Sequence, residues 1–210
     1  MALERGTGYI PPVTFVKHHK AHAAAGYFSS GFKDPVLIVS IDGQGEDETT
    51  TIWAGRNGKM IKISRTPFFA NSLGHFYHLI TMYLGYKRND EGKVMGYAPY
   101  GAPRNAEEER IVDELRVLFK EFIRFNKDTQ EIELNKNDYM LARKPGFPAI
   151  DFSDEFFTRI LKVVPGLAEK KAGKDLKPGD REMAHLAFAM QERTEQIVEE
   201  IVTYYMHEHA

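Results

Sequence analysis

Apolar and polar residues follow two different rhythms along this chain. Val36-Leu37-Ile38-Val39-Ser40-Ile41 is a nearly unbroken apolar run, the pattern of a strand covered on both faces. Thr49 to Arg56 and Lys59 to Arg65 mix β-branched and polar residues as strands do, with Asn57-Gly58 between them. Asn-Gly is the strongest short hairpin signal, because both residues tolerate positive φ. Upstream, residues 13–17 predict a short strand. Ala21, Ala23, Ala24 and Ala25 predict a helix over 19–28, ended by Gly31 and Pro35.

From residue 72 onward the rhythm becomes helical. Leu73, Phe76, Tyr77, Ile80 and Leu84 share one face of a helix that Ser72 caps and Gly85 stops. Residues 87–100 show neither period and read as irregular. Asn105 and Glu108 have capping-box spacing and open a helix at 106–123, with Ile111, Leu115, Leu118 and Phe122 inward. Residues 124–150 read as polar and irregular, with room for a hairpin at Lys127-Asp128. Ser153 starts a helix to about Val164, and Pro165 to Gly179 reads as an exposed, Lys- and Gly-rich loop. A last helix spans 181–207 along Met183, Leu186, Met190, Ile197, Ile201 and Tyr204. Strand, helix, strand, hairpin and then helices predict an α/β fold with a mixed sheet.

Composition narrows the function. The 210 residues carry 28 Lys and Arg against 30 Asp and Glu, a net charge of -2. That balance speaks against broad phosphate-driven nucleic-acid binding and against a polybasic membrane surface. There is no cysteine, which excludes disulfides, thiolate metal sites and a cysteine nucleophile, and fits a reducing, cytoplasmic compartment. Apolar runs fall well short of the roughly 20 residues a membrane span needs. The first residues lack the basic-then-apolar order of a secretory leader. The amphipathic last helix reaches the end of the sequence without a cap, so the chain is expected to be a piece of a longer protein.

Four stretches carry candidate chemistry. In His18-His19-Lys20-Ala21-His22 the outer histidines are four apart, so on a helix they share a face and could grip one ion. A solvated cluster at a helix start would look the same. Asp42 ends the apolar run, where α/β sheets place ligand-binding groups, and a His/His/Asp set suits zinc or ferrous iron. Asp42-Gly43-Gln44-Gly45-Glu46 is either a plain turn or a loop whose backbone N–H groups approach a phosphate. Lys93, between Gly92 and Gly96, could pair with a phosphate or simply face solvent, and Val94 stands where a P-loop has Ser or Thr. Gly74 inside a helix costs about 1 kcal/mol relative to Ala, which predicts close approach by a ligand or another backbone. His75 and His78 are packing residues or further ligands.

In this order, the four stretches resemble the O-carbamoyltransferase family typified by nodulation protein U and the antibiotic carbamoyltransferases. The family pattern runs His-His-x-x-His-Ala, Asp-Gly-x-Gly-Glu after a strand, Ser-Leu-Gly-x-x-Tyr, then Lys-Val-Met-Gly-x-Ala-x-Tyr-Gly. This chain supplies His18 to Ala23, Asp42 to Glu46, Ser72 to Tyr77 and Lys93 to Gly101. Arg88-Asn89-Asp90 departs from it, standing where the family more often has Asn and Gly.

The resemblance implies an actin-like ATPase fold built from ribonuclease-H-like halves. Residues 1–102 would belong to that domain, 103–181 to a mostly helical insertion, and 182–210, with Ala187 and Gln191, to a connecting helix. The N-terminal strands, the second half and a C-terminal domain that forms carbamoyl adenylate would lie outside this sequence. It further implies that His18, His22 and Asp42 hold a divalent metal, Fe2+ or Zn2+. Gly43, Gly45, Glu46, Lys93 and Gly96 would face ATP or carbamoyl adenylate, and Mg2+ would serve the activating domain. The expected activity is carbamoyl transfer, from carbamoyl phosphate and ATP by way of carbamoyl adenylate, to a hydroxyl of a sugar, antibiotic or lipo-oligosaccharide. This stretch alone is expected to be inactive. The alternatives are a relative of the metal-dependent tRNA threonylcarbamoyl transferases, disfavoured by the net charge, and an inactive nucleotide-binding fragment.

Overall fold

Asn57 and Gly58 turn with φ of 52° and 70°, and the strands they join pair Arg56 with Lys59 at the mouth of the hairpin. Two consecutive positive φ angles match the twist of the flanking strands, which explains why Asn-Gly stands here. Around this hairpin the computed structural model describes residues 12–67, 71–144, 147–168 and 180–208. Strands β1 (Val36–Ile41), β2 (Thr50–Arg56) and β3 (Lys59–Thr66) form one sheet in that order. Both pairings are antiparallel.

This corrects one expectation: every described sheet is antiparallel, not mixed. β1 lies at the edge of its sheet, with Ile38 and Ser40 buried on one face and Leu37, Val39 and Ile41 half-buried against the main core on the other. Alternation along β2 sends Ile52 into the main core and Trp53 into a small cluster with Ala23, Tyr27 and Ile38 beneath helix α1 (His18–Ser29). The strand expected at 13–17 is not formed; Val13, Phe15 and Val16 are exposed there.

Helix α2 (Leu73–Tyr83) begins at Ser72, whose hydroxyl accepts the His75 N–H, and stops before Gly85, at φ 83°. The stretch 87–100, expected to be irregular, holds helix α3 (Glu91–Tyr97) and a 3₁₀ turn (Ala98–Gly101). Gly92 and Gly96 hide the period in the sequence, but Val94 of the helix and Ala98 of the turn, four apart, are both buried. Helix α4 (Ala106–Phe122) is capped by the Asn105 side chain, which accepts the Glu107 and Glu108 N–H groups. Val112 and Phe119 are buried on it, and Ile111 only partly.

The segment expected to be mostly helical also contains two hairpins. The hairpin placed at Lys127-Asp128 is β4 (Ile123–Asn126) with β5 (Glu131–Leu134), and β6 (Tyr139–Lys144) pairs with β7 (Phe147–Phe152). Helix α5 (Asp154–Val163) follows its Ser153 cap, and α6 (Arg181–Glu208) closes the fold. The loop expected at 165–179 lies mostly outside the described residues; Leu167, within them, is fully buried. No helix among the described residues is long and apolar enough to cross a membrane.

One core runs through all of this. Phe76 of α2 packs edge-on against Phe119, and Phe122 meets Phe152 and Phe156, so the sheet side and residues 103–181 share their interior. Met183, Leu186, Met190, Ile197, Ile201 and Tyr205 thread α6 through it. Tyr205, four residues after Ile201, is the buried tyrosine, and Tyr204 is half-buried. A Cβ on Gly101 would sit 1.9 Å from the Ala184 carbonyl oxygen, so the 3₁₀ turn lies directly on the α6 backbone.

Candidate metal centre

Helix α1 starts without a side-chain cap from Lys17. The Glu46 carboxylate takes that role from outside: the His18 N–H donates to it at 3.0 and 3.1 Å. A carboxylate at a helix start satisfies an orphan donor and suits the positive end of the dipole. His19, Ala23 and Tyr27, at successive four-residue steps, are the buried face. His18 and His22 point to one side of it, toward Asp42 at the end of β1.

The three side chains form a tight triangle. His18 Nε2 lies 2.6 Å from Asp42 Oδ2 and 3.1 Å from His22 Nε2, and His22 Nε2 lies 3.6 Å from Asp42 Oδ2. The side chains of His18, His22 and Asp42 are 41%, 57% and 40% exposed, so the triangle opens to solvent on one side. Burial pushes the Asp42 carboxyl up. The hydrogen bond from His18, the Gly43 N–H and the nearby His18 and His19 rings outweigh burial and hold it below its ordinary value. The carboxylate is therefore anionic and ready to act as a ligand.

The donor set fits a divalent transition metal. Bonds of 2.0–2.1 Å in a tetrahedral zinc site put donor atoms about 3.3 Å apart. Two edges of the triangle straddle that value, and the third is shorter because a hydrogen bond closes it. Among the described residues this is the group of His and carboxylate side chains able to share an ion, with all three donor atoms within 4.8 Å of one another.

The loop after Asp42 surrounds this triangle, but its glycines are already engaged. The Gly43 N–H donates to Asp42 Oδ1 at 2.6 Å, and the Gly45 N–H donates to the Glu48 carbonyl at 2.7 Å. A Cβ on Gly45 would lie 2.7 Å from the His19 ring. Gly74 approaches another backbone, as its place in a helix required: its Cβ would lie 2.5 Å from the Gly43 nitrogen. Lys93 and Gly96 lie on α3. The Lys93 ammonium pairs with Asp90 at 2.7 Å, and a Cβ on Gly96 would meet nothing within 4 Å.

His75 packs its ring beside Gly43, and His78 bonds Glu91 at 2.6 Å across α2 and α3; neither joins the triangle. Sequence reasoning missed the partners that hold the loop. The Ser72 hydroxyl donates to the Gly43 carbonyl at 2.7 Å, and Ser40 and the Glu48 carbonyl flank His19. Ser72 was legible as a helix cap and as the start of the Ser-Leu-Gly motif, but not as a partner of the Gly43 carbonyl. Ser40 and Glu48 carry no local signal, because their role exists only once α1 lies on β1.

Residues 2–192 match the family described as Carbamoyltransferase N-terminus. The nodulation protein NolNO of Sinorhizobium fredii is 41% identical over 104 residues, 49% of this chain and 15% of that protein. NolO of Bradyrhizobium diazoefficiens is 36% identical over 107 residues, 51% of this chain and 18% of its own length. An uncharacterized Synechocystis protein is 41% identical over 100 residues, 45% of this chain and 15% of that one. The matched part of this chain thus spans less than a fifth of each of these relatives. With a family match over nearly its whole length, the chain belongs to the carbamoyltransferase N-terminus family.

Proposed function

We propose that this chain is part of an O-carbamoyltransferase that moves a carbamoyl group from carbamoyl adenylate to a substrate hydroxyl, with His18, His22 and Asp42 holding Fe2+ or Zn2+. Family membership supports a transferase. The observation that carries the site is the half-open triangle of two imidazole nitrogens and one carboxylate oxygen. The full protein would bring an actin-like ATPase fold and a further domain that makes carbamoyl adenylate from carbamoyl phosphate and ATP with Mg2+. The acceptor would be a hydroxyl of a sugar, an antibiotic or a lipo-oligosaccharide.

A divalent ion held here would polarise the carbamoyl carbonyl or lower the pKa of the attacking hydroxyl. The chain's own residues set the stage for that. Asp42 stays ionised, so the site carries negative charge without needing a proton loss first. Glu46 and the loop fix the start of α1, which orients both histidines. Gly43 and Gly45 could face a phosphate only by exchanging their present N–H partners. Glu46 supports the helix beside any nucleotide, and Gly96 leaves open space on α3. Lys93 could supply positive charge to the adenylate by leaving Asp90.

Elemental analysis of protein purified without a histidine tag tests the site. The parent is expected to retain iron or zinc, and a His18→Ala, His22→Ala double variant to lose it. Equal metal in both would remove the triangle from consideration. In the full-length enzyme the same double variant is expected to lose transfer from pre-formed carbamoyl adenylate.

A further inference from the structure

We infer that His19, the histidine between the two candidate ligands, is the positioning residue of this centre, and that Gly45 is a glycine in order to seat it. This rests on the metal reading above. His19 is 1% exposed and does not face the triangle. Its Nε2–H donates to the Glu48 carbonyl at 2.9 Å, and Nδ1 shares a hydrogen bond with the Ser40 hydroxyl at 3.0 Å. A carbonyl can only accept, so this contact with Glu48 fixes a proton on Nε2.

The two partners stand on either side of Asp42 in the chain. Ser40 precedes it on β1, and Glu48 follows it at the far end of the loop. One buried ring therefore ties α1 to both arms of the loop that presents the carboxylate. Glu46 fixes where α1 starts, and His19 fixes how α1 is rotated about its own axis. Successive side chains on a helix are about 100° apart, so a small rotation would carry His18 and His22 away from Asp42 together. Gly45 completes the seat. A Cβ there would lie 2.7 Å from His19 Cδ2 and 3.1 Å from its Nε2, and its own N–H shares the Glu48 carbonyl.

The test uses the whole chain with Co2+, whose visible absorption reports ligand geometry, and NMR of the imidazole nitrogens in metal-free protein. His19→Leu fills the space without polar contacts. His19→Gln can still donate to the Glu48 carbonyl and accept from Ser40. We expect His19→Leu to weaken Co2+ binding by about tenfold or more, within the range seen for outer partners of metal ligands, and to change the visible bands. His19→Gln should recover most of both, and Gly45→Ala should shift the bands as His19→Leu does. A His19→Leu protein with the parent's affinity and bands would overturn the inference. If that variant folds poorly, Ser40→Ala keeps the ring and removes one of its bonds, and unchanged bands there overturn it as well. If the parent takes up no Co2+, the metal reading fails on its own. The role of His19 is then decided in metal-free protein by the His18 Nε2–H signal of its bond to Asp42. Its loss in His19→Leu supports the inference, and its persistence overturns it.

Discussion

Gly74 and Gly43 meet backbone to backbone. A Cβ on Gly74 would sit 2.5 Å from the Gly43 nitrogen, 2.7 Å from its Cα and 2.8 Å from the Asp42 carbonyl carbon. Through this contact the start of α2 presses on the loop that presents Asp42, and the Ser72 hydroxyl adds its bond to the Gly43 carbonyl. The candidate centre is thereby clamped between α1 on one side and α2 on the other.

Gly74→Ala is expected to destabilise the protein despite the better helix propensity of Ala. Ala offers about 1 kcal/mol in a helix. Overlap with rigid backbone costs typically about 1–3 kcal/mol and more when nothing can move. Gly43→Ala is the control, because its Cβ would meet only His75 at an ordinary 3.5 Å. Urea melts should show a lower midpoint for the first and little change for the second. An unchanged or higher midpoint for Gly74→Ala would sink the clamp.

Phe119→Ala should loosen the sheet as well as its own helix, since Phe119 is fully buried against Phe76 in a core that both regions share. Truncating a buried Phe costs about 3–5 kcal/mol. Trp53 is the single tryptophan and sits in the sheet, so its fluorescence reports there, while far-ultraviolet circular dichroism reports mainly helices. Both signals are expected to shift together and by the same amount. Separate transitions would mean that residues 103–181 unfold independently.

The Glu108–Arg181 pair predicts an acid limb. The Arg181 guanidinium, opposed by burial and helped by the Arg104 N–H, holds Glu108 down at about 2. A depressed carboxyl contributes stability that is complete above its ordinary value of 4.5 and is lost as pH falls from there toward 2. Glu108→Gln should lower the melting temperature at neutral pH and flatten its decline across that window. A variant that declines as steeply as the parent would show that other carboxyls account for the acid limb.

Lys93 distinguishes surface pairing from ligand binding. Its side chain is 65% exposed and paired with Asp90, and such a pair is worth only about 0–1 kcal/mol. Lys93→Met and Asp90→Asn should therefore both leave the melting temperature within a few degrees. In the full-length enzyme we expect Lys93→Met alone to weaken use of pre-formed carbamoyl adenylate at least about tenfold, the size of a lost charge-assisted contact. Transfer at the parent rate would leave Lys93 a surface residue.

Much of the local structure was written in the sequence, because its causes are local. Asn57-Gly58 admits few turns other than the one it makes, and Ser72, Asn105 and Ser153 each bond the N–H groups just after them. The facing of His18 and His22 follows from the helical period alone. Other features depend on which surfaces meet. Gly92 and Gly96 concealed α3, whose Val94, with Ala98 of the turn after it, becomes a face only against the rest of the core. β6 and β7 show no strand period in the sequence, and it is their antiparallel pairing with each other that makes them strands. That β1 is an edge strand depends on which strands pair with it, and its apolar run looks the same for an edge or a buried strand. The candidate centre divides in the same way. Spacing put two histidines on one side of a helix, but Asp42 joins them only because α1 lies across β1 and His19 holds it there. The two sides are over 20 residues apart in the chain, and long-range packing leaves no periodic trace in either segment.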